Sequence, residues 1–250
     1  MKLSRSVVGA AAIAAATLAA GNASAAFYID ATVNGAVWSL VGNTATTIAP
    51  LPGVGTVTAT ASASPITQTT FDGNAAATAF CAGGGGSLAC QKDGFGVGDG
   101  DDEVTDPTQS ITVSWANPVD ITAIYLLDFF TNNPTTNDPS WTEQADITIN
   151  GVTRSFFATA TGGDTTGAFT ITAVDLLAAG FVAGDLSGVT QITFAAPSVQ
   201  GCTLTGGVGC NDYAVAGVAA VPLPGAVWLF GSGLLAMLGV GYTRRRKPAA

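Results

Sequence analysis

Asp93, Asp99, Asp101, Asp102 and Glu103 place five carboxylates within eleven residues, on a backbone softened by Gly94, Gly96, Gly98 and Gly100, with Asp106 close behind. Like charges packed this densely repel one another. A hard cation such as Ca2+ relieves that repulsion by taking about six to eight oxygen ligands. Asp99, Asp101, Asp102 and Glu103 are therefore the candidate calcium ligands. The EF-hand spacing is not met: counting from Asp99, Val104 stands at the sixth position instead of Gly, and Ser110 at the twelfth instead of Glu. The same stretch also reads as a solvated acidic loop leading into a strand that starts at Gln109.

Other chemistries are limited by what the chain lacks. It has no histidine, so a Ser-His-Asp or Cys-His nucleophile system is excluded, as is any metal site that needs imidazole. A carboxylate pair can cleave glycosides, and Asp128 in LLDFF is the nearest candidate, but an acid at a strand end is ordinarily structural. The expectation is a non-catalytic protein. Sugar binding has its own signature, in exposed aromatic rings that stack on sugar faces. Trp141, which follows the polar loop 131–140, is the candidate ligand-binding residue. Trp115 stands mid-strand and reads as core, with Tyr125 and Tyr213 as further rings.

Positioning these groups falls to strands. QSITVSWA (Gln109–Ala116), VDITAIYLLDFF (Val119–Phe130), QADITI (Gln144–Ile149), VTRSFFATA (Val152–Ala160), AFTITAV (Ala168–Val174) and VTQITFAA (Val189–Ala196) are rich in Thr, Val, Ile and aromatics. Several of them alternate polar with apolar residues. Asn34-Gly35 and Asn150-Gly151 suit type I′ hairpin turns, since both residue types tolerate positive φ. The single helical turn is expected around Asp175–Ala179, and Thr44–Thr70 reads equally as strand or loop. Residues 26–220 are long enough for one sizeable core. The expected fold is all-β: an antiparallel two-sheet sandwich, jelly-roll-like.

Four cysteines fit an oxidising compartment. Cys81 and Cys90 bracket AGGGGSLA, and Cys202 and Cys210 bracket TLTGGVG. Of the three possible pairings the two local ones are favoured, Cys81–Cys90 and Cys202–Cys210, because a Gly-rich loop folds back at little steric cost.

Charge is distributed unevenly. Lys2 and Arg5 open the chain, and Arg244, Arg245, Arg246 and Lys247 close it. Between residues 26 and 220 only Lys92 and Arg154 stand against all 17 carboxylates, a formal charge of −15. Such a surface repels phosphates, so nucleic acid is excluded as a partner.

The two ends carry addresses. Residues 1–25 combine a basic start, an apolar stretch from Val7 to Ala20 and the small-x-small site Ala23-Ser24-Ala25, the three parts of a secretory signal peptide. At the other end, residues 221–250 join the elbow Val221-Pro222-Leu223-Pro224-Gly225 to 18 uncharged residues, 225–242, and then to the basic cluster. At 1.5 Å per residue that segment forms a helix of roughly 27 Å, against a hydrocarbon core of about 30 Å. Arg244–Lys247 then act as a cytoplasmic stop.

The ordered set of elbow, apolar segment and basic end resembles the C-terminal sorting signal of PEP-CTERM proteins, in its VPLPA variant. Leu223 stands where the founding motif has Glu, and Gly225 where the variant usually has Ala. FGVGDGDDEV and DYAVAGVAAVPLP in the body look like that group more loosely. The resemblance implies an exported protein, inserted in the inner membrane as a precursor and then delivered to the cell surface or extracellular matrix. It also implies processing by an exosortase-like membrane protease, and exopolysaccharide as surrounding material and partner. The alternative is a Ca2+-assisted carbohydrate-binding module. If the acidic stretch binds calcium, millimolar Ca2+ raises the melting temperature of the chain and Asp101→Ala with Asp102→Ala abolishes the gain. An unchanged melting curve for the parent chain rules the site out.

Overall fold

The computed structural model describes residues 27–34, 37–62, 65–71, 73–76, 78–98, 103–104, 108–130, 142–159, 167–197 and 213–222. They belong to one compact unit, Ala26–Pro222. It is all-β, as its Thr-, Val- and Ile-rich runs require. In chain order the strands are β1 (Phe27–Asp30), β2 (Trp38–Val41), β3 (Thr44–Thr47), β4 (Val57–Ala61), β5 (Ile66–Thr67), β6 (Gly96–Val97), β7 (Ser110–Leu127), β8 (Gln144–Ile149), β9 (Val152–Phe157), β10 (Phe169–Thr172), β11 (Val189–Ala195) and β12 (Ala214–Pro222). A short α-helix, α1 (Ala173–Ala178), follows β10, and Ala82–Gly84 form a single 3-10 turn. Every pairing between these strands is antiparallel.

Strand β7 organises the rest. Its first half pairs with β4 on one edge, Val57 to Ala61 against Trp115 to Ile111, and with β11 on the other. Beyond Val119 the neighbours change: β12 runs along it from Pro222 opposite Val119 to Ala214 opposite Leu127, and β10 pairs with Ala123 to Leu126. Outward from β4 lie β3 and β2, outward from β11 lie β8 and β9, and β1 flanks β12. Both halves of β7 face one core, to which Ile111, Val113, Trp115, Val119, Ile121, Ile124 and Leu126 all contribute. The arrangement is sandwich-like.

Two expected strands, Gln109–Ala116 and Val119–Phe130, are thus a single strand. Asn117-Pro118 does not interrupt it, because Pro118 falls where one set of neighbours gives way to the next and no ladder needs its missing N–H. Asn150 (φ 49°) and Gly151 (φ 80°) form the β8–β9 turn, with positive φ at both positions as a type I′ turn requires. Gly35 lies outside the described residues, but the strands on either side of Asn34-Gly35 do not pair with each other: β1 pairs with β12 and β2 with β3. The stretch Thr44–Thr70 resolves into β3, β4 and β5. Helix α1 starts two residues earlier than expected, set by a capping box. The Thr172 hydroxyl accepts from the Asp175 N–H, and the Asp175 carboxylate accepts from the Thr172 N–H at 2.8 Å. Those bonds hold the Asp175 carboxyl below its usual pKa.

On its far side β12 meets a second cluster. Ala214, Ala216 and Leu127 are covered by Phe80, Cys81, Leu88 and Cys90, from the excursion between β5 and β6. The Cys81–Cys90 disulfide closes that excursion, with Cα atoms 5.6 Å apart. This is the local pairing expected; Cys202 and Cys210 lie outside the described residues. Asp30, at the end of β1, ties the excursion to the sheet. Its Oδ1 accepts from the Thr32 N–H at 2.8 Å and the Thr32 hydroxyl at 2.6 Å, and its Oδ2 from the Ala89 N–H at 2.7 Å. Burial raises the Asp30 carboxyl above its ordinary pKa, and those donors partly offset the shift.

A loop of about ten residues gives a chain-entropy stabilisation of about 2.7 kcal/mol. Cys81→Ala with Cys90→Ala should lower the melting temperature by roughly 5–10 °C, as read by calorimetry.

Candidate functional site

The elbow Val221–Gly225 is where sequence and fold meet most directly. Strand β12 ends inside it. Val221 lies opposite Asp120 and Pro222 opposite Val119, so the first two motif residues are the last rungs of the sheet. Both are half-buried, whereas Ala214 to Ala220 are fully buried. Proline offers no N–H to a further rung, which suits it to a strand end. Leu223, Pro224 and Gly225 lie outside the described residues, as do the apolar segment 225–242, Arg244–Lys247 and the expected signal peptide with Ala23 and Ala25.

A tight turn braces this strand end. The Leu51 N–H donates to the Gly55 carbonyl at 2.8 Å, and the Gly55 N–H donates back to the Leu51 carbonyl at 2.9 Å. From the bend of β7, the Asn117 N–H reaches the Val54 carbonyl at 3.0 Å. Gly53 sits against the Pro222 ring with φ +77°; a Cβ there would lie 2.9 Å from Pro222 Cγ. Trp115 closes the core beneath, its Nε1 donating to the Val189 carbonyl at 2.8 Å. Strand end, turn and bend thus form one pole of the domain.

Asp185, which accepts from the Val182 N–H at 2.8 Å, and Asp120 are carboxylates beside this pole; the latter is held by the segment that follows Leu186. Asp120 Oδ1 accepts from the Ser187 hydroxyl at 2.6 Å and the Gly188 N–H at 3.2 Å. At the opposite pole the two ends of β7 come together: Gln109 Nε2 donates to the Val97 carbonyl, and Phe95, two residues away, bridges to Val215, next to the partner of Leu127. Here acids accumulate. Glu143 is buried and its Oε2 accepts from the Phe130 N–H at 2.6 Å. Asp128, half-buried, takes a left-handed conformation with φ 55° just past the end of β7. Asp146 accepts from Ser155 and Gln144.

No protein-family model matches this chain, and no curated protein or solved structure matches it either.

Of the expected calcium ligands, Asp99, Asp101 and Asp102 lie outside the described residues. Glu103 is half-buried, and its carbonyl accepts from the Val97 N–H at 2.9 Å. Asp93 is buried and accepts from the Thr69 hydroxyl at 2.9 Å, in a structural position. Among the described residues no group of three or more His, Cys, Asp or Glu side chains is placed to hold a metal ion. Among the same residues no helix is long and apolar enough to cross a membrane.

Trp141 lies outside the described residues. Trp115 is core, as its mid-strand position implies. Tyr213 is also core and cannot serve as an exposed sugar platform. It is fully buried with its ring edge-on to Phe129 at 5.8 Å, its hydroxyl has no hydrogen-bond partner among the described residues, and burial pushes its pKa well above the ordinary value. Tyr125 is half-buried between Phe80 and Tyr28, at 5.2 and 6.4 Å.

Sequence reasoning missed the structural role of AVAGVAAVP (Ala214–Pro222) as an interior strand. Its residues do not alternate, because both faces of β12 are covered and small side chains pack on each side. Alanine at Gly53 is strained by its positive φ and by the Pro222 ring, whereas Gly151 has positive φ but open space around it. The left-handed conformation alone costs about 1–2 kcal/mol. Gly53→Ala should therefore destabilise by about 1 kcal/mol more than Gly151→Ala in urea unfolding, and it should speed hydrogen exchange at the Val221 amide. Equal effects of the two substitutions would remove the packing of Pro222 on Gly53.

Proposed function

We propose that this chain is an exported, non-catalytic protein of the cell surface or extracellular matrix, whose C-terminal segment is a sorting signal read by an exosortase-like membrane protease. The body is a jelly-roll-like two-sheet sandwich that folds outside the cytoplasm, where its disulfide forms. The precursor is held in the inner membrane through residues 225–242, and the mature domain resides among exopolysaccharide.

The observation that carries this reading is the place where the domain stops. Its last strand ends at Pro222, inside VPLPG. Cleavage of any bond beyond Pro222 leaves all strands whole, while cleavage before Val221 removes rungs paired with Asp120 and Val119. A processing motif at the edge of a folded domain can be cut without loss of the fold. The acidic body, with its two cations, stays soluble once released from an anionic membrane.

The intact mass of the surface-exposed protein tests this. The expected product begins at Ala26 and ends between Pro222 and Gly225. A mass that runs to Ala250 makes the tail a permanent anchor and overturns the sorting role.

A further inference from the structure

The excursion that covers the outer face of β12 is built differently from the sheets beneath it. From Thr78 to Leu88 every backbone hydrogen bond among the described residues runs within the excursion itself. The Ala82 N–H donates to the Leu88 carbonyl at 2.7 Å, the Leu88 N–H to the Phe80 carbonyl at 2.9 Å, and the Gly86 N–H to the Cys81 carbonyl at 2.8 Å. The next four residues are bonded to the domain instead. The Ala89 N–H donates to Asp30 Oδ2 and the Cys90 N–H to the Thr32 hydroxyl, both at 2.7 Å. The Gln91 and Lys92 N–H groups both reach the Thr32 carbonyl, at 3.0 and 2.9 Å. One limb is thus anchored to the turn after β1, and the other carries the covering side chains without such bonds.

Three links hold the cover down. Phe80 lies against Tyr125, with ring centroids 5.2 Å apart. Leu88 fills the space over Gly217, where a Cβ would lie 3.2 Å from Leu88 Cδ2. The third link is the Cys81–Cys90 disulfide, which ties the cover to the anchored limb. Gly83, Gly84, Gly85 and Gly86 follow one another between Phe80 and Leu88, and glycine loses more backbone freedom on ordering than any other residue. Cys90 is held at φ 46°, a left-handed conformation that strains a residue with a Cβ. Opening the loop relieves both costs. The disulfide prevents it, because Cys81 stays fastened to Cys90.

We infer that Thr78–Leu88 form a redox-sensitive cover, open while Cys81 and Cys90 are thiols and closed once they are joined, over sheets that are formed in both states. This does not depend on the sorting role of the tail. Opening by a dithiol is a thiol–disulfide exchange. The bond between the Cys81 and Cys90 sulfurs breaks, the two sulfurs take up two electrons and two protons as thiols, and the dithiol gives these up in forming its own disulfide. In the closed state Cys81 is fully enclosed and Cys90 nearly so. The bond is therefore shielded by the same Phe80 and Leu88 side chains that it holds in place. In the open state the face of Leu127, Ala214 and Ala216 meets water, while β12 keeps its rungs with β7 and β1.

Native-state hydrogen exchange on the full chain tests this, with Ile192–Phe194 as internal reference because β11 is paired on both edges there. The parent chain is read oxidised and again in dithiothreitol, once mass shows thiols at Cys81 and Cys90. Cys81→Ala with Cys90→Ala is read without reductant, which leaves Cys202 and Cys210 untouched. In the oxidised parent all of these amides are protected. In the reduced parent and in the variant, the Ala82, Gly86 and Leu88 amides are expected to exchange within about tenfold of an unstructured peptide, while Ile192–Phe194 stay about a thousandfold or more slower. Cover amides that remain better protected than this in either sample overturn the inference, because Phe80 and Leu88 then hold the cover without the disulfide. Loss of protection at Ile192–Phe194 together with the cover overturns it as well, since cover and sheets then open as one unit.

Discussion

A strand 18 residues long has two edges of peptide groups to satisfy, and no single neighbour in this domain is long enough to do so. Strand β7 is therefore shared. Four partners divide its length, two for each half, and the bend at Ala116–Pro118 falls where they exchange. An unpaired backbone group in the interior costs as much as a lost hydrogen bond, so the bend and the exchange of partners have to coincide. Because both halves turn toward one core, bending β7 also sets the two layers against each other. The position of Trp115, bonded to the Val189 carbonyl just before the bend, follows from that geometry.

The second half of β7 and its neighbour β12 pose a further problem, since their outer face is apolar as well. Leu127, Ala214 and Ala216 would be open to water without the excursion closed by Cys81 and Cys90. The disulfide limits the freedom of a Gly-rich segment that has little apolar surface of its own to hold it in place. Asp30 does the remaining positioning. Its carboxylate binds donors on both the β1 side and the excursion, so β1, β12 and the covering loop are fixed as a unit. The half-buried carboxylate is tolerable because three donors converge on it.

This packing decides where the chain leaves the domain. β12 starts opposite Leu127 and runs to the bend of β7, where the turn Leu51–Gly55 and the Pro222 ring meet. For a chain proposed to be tethered through its C-terminus, that exit leaves the motif at a boundary where removal of the tail disturbs no strand.

Much of the fold was legible locally. QADITI became β8 with its predicted ends, because strict alternation marks a half-buried strand, and Asn150-Gly151 became a turn, because both residues accept positive φ. The Cys81–Cys90 pairing followed from a short glycine-rich loop. The charge asymmetry and the ordered VPLPG tail were also readable residue by residue, since both depend on composition and order alone. What the sequence did not contain was anything that depends on a distant partner. Gln109–Ala116 and Val119–Phe130 read as separate strands, and only the change of neighbours at Pro118 makes its missing N–H irrelevant and joins them. Asn34-Gly35 suggested that its flanking strands pair with each other, yet β1 pairs with β12, nearly two hundred residues away in the chain. DYAVAGVAA carried no strand pattern because burial on both faces removes alternation, and Tyr213 offered no sign that its hydroxyl would be enclosed. Types and spacing alone determined the class of fold, the Cys81–Cys90 disulfide and the order of the VPLPG tail. Tertiary structure decided which strands are interior, and that VPLPG begins on the last two rungs of a sheet, because hydrogen-bond partners and solvent cover are supplied by residues remote in sequence.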